Sequence, residues 1–229
     1  MLLLFDIDGT LLLHAHEAHR DALHAALHEV YGIADPAAAP VHAPGRTDGE
    51  LARAIAVQAG VSAERIDEGA DAVRDATCRE FARRCPPDLR DRLSPGMPDV
   101  LADLAARPGV RLSLLTGNYE PIARLKLERA GLAHFFPAGQ GAFGSDEDDR
   151  AALPRIARWR AGADGRPYPR AHTVVIGDTP NDVACARADG VRCLAIATGP
   201  FRPADLEAAG ADAVAADARG LGALVGALL

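Results

Sequence analysis

Apolar and polar positions along the chain fall into two regimes. In the first, short apolar runs stand at Leu2–Phe5, Val110–Leu115, Thr173–Ile176, Arg192–Ile196 and, more weakly, Ala211–Ala215. Each run is followed by glycine or polar residues and then by a segment with helical spacing, so each reads as a buried strand. Strands alternating with helices predict a parallel sheet covered on both faces. The units are too few to close an eight-stranded barrel. The expected core is therefore an α/β, doubly wound (Rossmann-like) parallel sheet.

The second regime runs from about residue 14 to residue 94 and contains no strand-like run. Ala22, Leu23, Ala26, Leu27 and Val30 recur at helical spacing, as do Leu51, Ala54, Ile55 and Ala59, then Ile66, Ala70, Val73 and Phe81. An all-helical cap inserted after the first strand accounts for this. The expected organisation is a core of residues 1–13 and 95–229 with a helical cap of residues 14–94. Ser94–Val100, "SPGMPDV", reads as a stiff return linker whose prolines and glycine bar helix continuation. Hinges near Leu12–His16 and Arg92–Met97 would let the cap move as a lid.

Ligands of doubly wound sheets bind beyond the carboxyl ends of the strands. Three such ends carry small or acidic polar residues: "FDIDGT", "LLTGNYE" and "VIGDTPND". Asp6, Asp8, Asp178 and Asp182 would crowd several carboxylates into one space, which demands a cation. Oxygen donors without histidine or cysteine nearby favour Mg2+ over zinc. Thr116, Gly117 and Asn118 precede a helix expected at Tyr119–Ala130, and a helix N-terminus of this kind suits a phosphate. Carboxylates, Mg2+ and a phosphate pocket together point to phosphoryl transfer through an aspartyl phosphate. A basic group should face the phosphate. Lys126 is the only lysine beside 24 arginines, and a compact point charge suits that place; Arg150, in "SDEDDRAALP", is its rival.

Composition narrows the field of partners. The 229 residues carry a formal net charge of -7, with 4% aromatic residues. No basic face or stacking platform for nucleic acid, and no polybasic face for a membrane, is expected. The four cysteines, Cys78, Cys85, Cys185 and Cys193, show no metal spacing and read as reduced, packed thiols. With no apolar span approaching about 18 residues, the expectation is a cytoplasmic protein, monomeric or homodimeric.

"DIDGT", "LLTGN" and "GDTPND" resemble, in order and over the whole chain, the first, second and fourth motifs of the haloacid dehalogenase-like (HAD) hydrolase superfamily. The helical insert is similar to the small cap of its phosphoglycolate phosphatase-like branch. The resemblance implies that Asp6 is the nucleophile and that Asp8 is the acid that protonates the leaving oxygen, later the base that activates water. It implies that Asp6, the Asp8 backbone carbonyl and Asp178 hold Mg2+, that Asp182 orients a water on the ion, and that Thr116 and Asn118 grip phosphoryl oxygens. True dehalogenases lack an acid at the position of Asp8, so its presence implies phosphate-ester chemistry. The family's Lys-Pro-x-Pro third motif is missing, and "DRAALP" stands in its place. "APGRTDGE" (Ala43–Glu50) resembles the cap loop used for substrate choice, with Arg46 and Thr47 as substrate-binding candidates and Asp48 near them. The implied activity is a Mg2+-dependent phosphatase for a small phosphorylated metabolite. A phosphomutase of the beta-phosphoglucomutase type and a non-enzymatic phospho-acceptor on the same scaffold are the alternatives.

Plainer readings stand beside these. Asp6 and Asp8 could be turn residues. Thr179, Pro180 and Asp182 fit the cap, first and third positions of a helix, and Thr116 could be a cap as well. Lys126 could pair with Glu128 or lie in solvent, and Arg46 could be a surface residue. The spacing of His14, His16 and His19 fits no single helix face and suggests no acidic partner for a metal, so a hinge or solvent role is expected, with His16 a candidate for lining the cleft. Asp146–Asp149 reads as a solvated loop.

Overall fold

The computed structural model describes residues 1–228. Six parallel strands form one sheet in the order β3-β2-β1-β4-β5-β6. They are β1 (Leu2–Phe5), β2 (Arg111–Thr116), β3 (Ala142–Phe143), β4 (Thr173–Gly177), β5 (Arg192–Ile196) and β6 (Ala213–Ala215). β1 lies between β2 and β4, with Phe5 opposite Leu114 on one side and Ile176 on the other. The strand order therefore reverses direction at β1, and the crevice that this reversal opens lies at the carboxyl ends of β1, β2 and β4.

Alternation along β1 divides the core. Leu3 and Phe5 face a cluster with Met97, Leu101 and Leu104 of α4 (Met97–Ala106), Ala123 and Leu127 of α5 (Glu120–Arg129), and Leu221 and Val225 of α9 (Ala218–Gly226). Leu2 and Leu4 face the opposite cluster, with Leu153 and Ala157 of α6 (Leu153–Ala161) and Val183 and Ala186 of α7 (Pro180–Asp189). The helix α8 (Pro203–Ala209) precedes β6. A sheet buried on both faces has no polar side to show, which is why its strands read as unbroken apolar runs.

Between β1 and α4 the chain forms α1 (Glu17–Tyr31), α2 (Asp48–Gln58) and α3 (Ala63–Arg84). Leu23, Ala26 and Leu27, with Ala52, Ile55, Ile66 and Val73, make a separate apolar cluster among these three helices. Ala22 and Phe81 pack outward onto Tyr119 and Ile122 of the α/β part. The segments that leave and return lie side by side: Leu12 and Leu93 form an antiparallel bridge, Leu13 N–H donates to Arg92 C=O at 2.7 Å, and Ser94 N–H to Leu11 C=O at 2.9 Å.

Some boundaries differ from expectation. "SPGMPDV" is not a linker throughout: α4 begins at Met97, because Pro98 stands in its first turn, where no helical N–H bond is lost. The second strand starts one residue later and ends on Thr116, and the last shortens to Ala213–Ala215. β3, two residues long, has no periodicity to betray it. Among the described residues no helix is long and apolar enough to cross a membrane.

Candidate active site

β1 delivers Asp6 to the sheet edge. Its N–H still donates to the Ile176 carbonyl at 2.9 Å, so the carboxylate is fixed by the last rung of the ladder. The chain then folds back, with the N–H groups of Leu11 and Leu12 donating to the Ile7 carbonyl, and Gly9 takes a left-handed φ of 88°. This turn places Thr10, whose hydroxyl donates to Asp178 at 3.0 Å. Asp178 follows β4, and Asp182 stands in the first turn of α7.

Carboxylate oxygens of Asp6, Asp178 and Asp182 all lie within 4.8 Å of one another, and all three residues are buried. Arg150 enters this cluster from the loop before α6; its Nη2 donates to Asp182 and lies 3.3 Å from Asp6. Burial pushes the Asp6 carboxyl up to about 7, the Arg150 charge opposing and the charges of Asp182 and Asp8 adding to the rise. Burial, then the charges of Asp182 and Asp6, push Asp178 up to about 8 against the Thr10 hydrogen bond and Arg150. Three buried carboxyl groups thus cluster around one guanidinium that touches two of them, Asp6 and Asp182, and every ligating atom they offer is oxygen. That set fits a hard divalent cation such as Mg2+.

Asp182 has two duties. Its carboxylate accepts from the Thr179 N–H at 3.0 Å and hydroxyl at 2.7 Å, completing a capping box at α7 while it faces Arg150. Its position fits the helix-capping pattern and also places it in the acidic cluster.

Asp8 points the other way, outside the trio. Lys126 Nζ donates to its two oxygens at 2.6 and 2.8 Å, and Asn118 Nδ2 at 3.0 Å. Burial alone would raise the Asp8 carboxyl, but the Lys126 charge and the hydrogen bonds from Lys126 and Asn118 hold it below the usual carboxylate range. Lys126 is fully buried, neither in solvent nor paired with Glu128. The two basic candidates therefore serve different carboxylates: Lys126 faces Asp8, and Arg150 faces Asp6.

The β2 end differs from expectation. Thr116 is buried, and its hydroxyl accepts from the Asn118 N–H at 3.3 Å rather than capping α5. The N-terminus of α5 is not open to a phosphate, because the Tyr119 N–H donates to Asp48 at 2.7 Å and the Glu120 N–H to Ser145 at 2.8 Å. Gly117 accepts the Asp48 N–H at 2.8 Å, and a Cβ there would strike the Arg46 backbone. Thus the loop before α2 lies directly on the β2 end.

Within that loop, Thr47 spends its hydroxyl proton on the Asp148 carbonyl at 2.7 Å and accepts from Glu50 N–H at the start of α2. Arg46 pairs with Glu50 at 3.2 Å and is a third exposed. Neither side chain is aimed at the carboxylates by these contacts. His19 also departs from expectation: it is buried, with Nε2 3.0 Å from Asp48 and Nδ1 3.2 Å from Lys126. Its acidic partner lies 29 residues away, so no local pattern could expose it. His14 and His16 are exposed, as are Glu147, Asp148 and Asp149 of the acidic run.

Known proteins share sequence and fold with this chain. The model of the haloacid dehalogenase-like hydrolase family matches residues 3–187. A phosphoglycolate phosphatase from Rhodospirillum rubrum is 32% identical over 205 residues, covering 87% of this chain and 80% of that protein. The tyrosine-protein kinase PtkA of Mycobacterium tuberculosis is 32% identical over 199 residues, covering 86% of this chain but 62% of the kinase. Among solved structures, a putative beta-phosphoglucomutase from Bacteroides vulgatus shares the fold with a TM-score of 0.68 at 22% identity, over 99% of this chain and 88% of that one. With three strand ends converging on one acidic crevice and a family model spanning most of its length, the chain belongs to the haloacid dehalogenase-like hydrolases.

Proposed function

We propose that this hydrolase is a Mg2+-dependent phosphatase acting on a small phosphorylated metabolite through a phosphorylated Asp6. The observation that carries the reading is the division of labour among the acids. Asp6, Asp178 and Asp182 form one buried oxygen cluster, while Asp8 is held apart by Lys126 and Asn118. The likeness to a phosphoglycolate phosphatase over 80% of its length supports the reaction class.

In the first step an Asp6 oxygen attacks phosphorus, the bond to the ester oxygen breaks, and Asp8 supplies the proton to that oxygen. In the second, water attacks phosphorus, the Asp6–phosphorus bond breaks, and Asp8 takes the proton. Asp6, the Asp8 carbonyl and Asp178 would hold Mg2+, with Asp182 behind them, and the ion would supply charge neutralisation of the phosphoryl oxygens. Arg150, beside Asp6, is the basic group we assign to the phosphate; Thr116 and Asn118 remain its polar neighbours. Residues 14–94 act as the cap, hinged at the paired Leu11–Leu13 and Arg92–Ser94 segments. The cap loop sits closed, tied by Asp48 to Gly117, Thr47 to Asp148 and Asn181 to Pro44.

A screen of phosphorylated metabolites with and without Mg2+ tests the reading. Phosphate release should need the ion, and Asp6→Asn should lower kcat by at least about 10³-fold, as loss of a nucleophile does. Wild-type turnover by Asp6→Asn would sink it. Recovery of an isomeric phosphate ester instead of inorganic phosphate would replace the phosphatase by a phosphomutase.

A further inference from the structure

Lys126 has three N–H donors and no acceptor, and it meets three sets of acceptors: the Asp8 carboxylate, Asn118 Oδ1 at 2.8 Å and His19 Nδ1 at 3.2 Å. Two of these partners come from the α/β part and one, His19, from the first turn of α1 in the cap. Because Lys126 only donates, His19 Nδ1 is the acceptor, which leaves Nε2 to donate to Asp48 Oδ2 at 3.0 Å. That same Asp48 oxygen accepts the Tyr119 N–H at 2.7 Å. Phe81 of α3 closes the group, edge-on to His19 at 5.6 Å and beneath Lys126 at 5.9 Å. A continuous buried chain therefore runs Asp48–His19–Lys126–Asp8, from the cap loop to the acid–base carboxylate.

We propose that His19 and Asp48 are positioning residues for Asp8: through Lys126 they hold its carboxylate in the orientation that takes the proton from the attacking water. The inference rests on the phosphatase reading above. Asp48 orients the His19 ring, His19 occupies the third donor of Lys126, and Lys126 is then left with no rotation that keeps all its bonds except the one that holds Asp8. Since two members of the chain belong to the cap, the base is aligned when the cap is docked. The step served is the second: the water oxygen bonds to phosphorus, the Asp6–phosphorus bond breaks, and the water proton passes to Asp8. The first step suffers less with a good leaving group, which needs no proton.

The test is rapid-quench and steady-state kinetics with 4-nitrophenyl phosphate and Mg2+. His19→Leu removes the acceptor; His19→Asn keeps a side-chain oxygen on the Nδ1 side and loses the reach to Asp48. His19→Leu should lower kcat about 10–100-fold with KM within about threefold, a part of the rate that acid–base catalysis supplies. It should also release a burst of about one nitrophenolate per site, as phospho-Asp6 accumulates. His19→Asn, which keeps the acceptor, and Asp48→Ala, which leaves His19 in place but unoriented, should each recover part of the rate and show a smaller burst than His19→Leu. Wild-type kcat in His19→Leu, or a fall with no burst, overturns the positioning role while Asp8→Asn still shows the burst. Wild-type turnover in Asp8→Asn overturns the phosphatase reading itself, a separate result.

Discussion

Asp178 is enclosed by residues chosen for what they lack. A Cβ at Gly9 or at Gly199 would overlap its carboxylate, and Thr10 supplies its hydrogen bond. Gly9 also holds a φ of 88°, which other L-residues adopt only with strain. Gly199→Ala, at a residue without a left-handed φ, should therefore push Asp178 out of the oxygen cluster with little effect on folding. The expected outcome is a rise of about tenfold or more in the Mg2+ concentration needed for half-maximal activity, about the scale of a disturbed ligand shell, with an unchanged melting temperature. These glycines and Thr10 explain why Gly9-Thr10 after the second acid is more than a turn. The motif was legible in the sequence; the role of Gly199, from the loop after β5, was not, since nothing local ties it to Asp178.

At the scale of elements, the helices of the opposite face are tied by ions as well as by packing. Arg158 of α6 and Asp189 at the end of α7 are both 3% exposed and joined by two hydrogen bonds, one of 2.9 Å. Arg170, more than half exposed, adds a rim contact at 3.2 Å. Breaking a buried pair strands a charge, whereas an exposed one loses little. Arg158→Ala should thus cost about 3–5 kcal/mol in urea unfolding, and Arg170→Ala at most about 1 kcal/mol. Similar logic separates two Asp182 variants. Asp182→Ala removes the reciprocal half of the α7 capping box and leaves Arg150 short of a partner, while Asp182→Asn keeps an acceptor for Thr179. The alanine variant should be less stable by about 1 kcal/mol or more, the usual size of a lost cap. The capping pattern Thr-Pro-x-Asp was readable as helix grammar; its contact with Arg150, 32 residues away, was not.

For the whole molecule the acidic cluster sets a pH dependence. Asp6 and Asp178 have carboxyls raised to about 7 and about 8 in the fold from an ordinary value near 3.8. Between those limits the folded protein binds more protons than the unfolded chain, so stability of the ion-free protein falls as pH rises from about 4 towards 8. A cation among the carboxylates removes the repulsion and binds best where they are ionised. The melting temperature gained on adding Mg2+ should accordingly be larger at pH 8 than at pH 5.5, measured by thermal unfolding at fixed ionic strength. An equal gain at both values would contradict the cluster as the binding site.

The sequence by itself determined five of the six strands, the doubly wound class, the helical character of residues 14–94 and the three acidic strand ends, because these are short unbroken apolar runs, a period of 3.6 and residue types over a few neighbours. Even the departures there were local, such as Pro98 starting a helix rather than preventing one. Only the tertiary structure decided which cation serves which acid, that Asp48 rather than a phosphate caps α5, and that His19 is buried against Lys126. Those contacts span from 32 residues, for Arg150 and Asp182, to 118 for Lys126 and Asp8 and 144 for Arg150 and Asp6. Partner choice in a dry, shared cluster follows from which loops the sheet brings together, and no spacing along the chain encodes it.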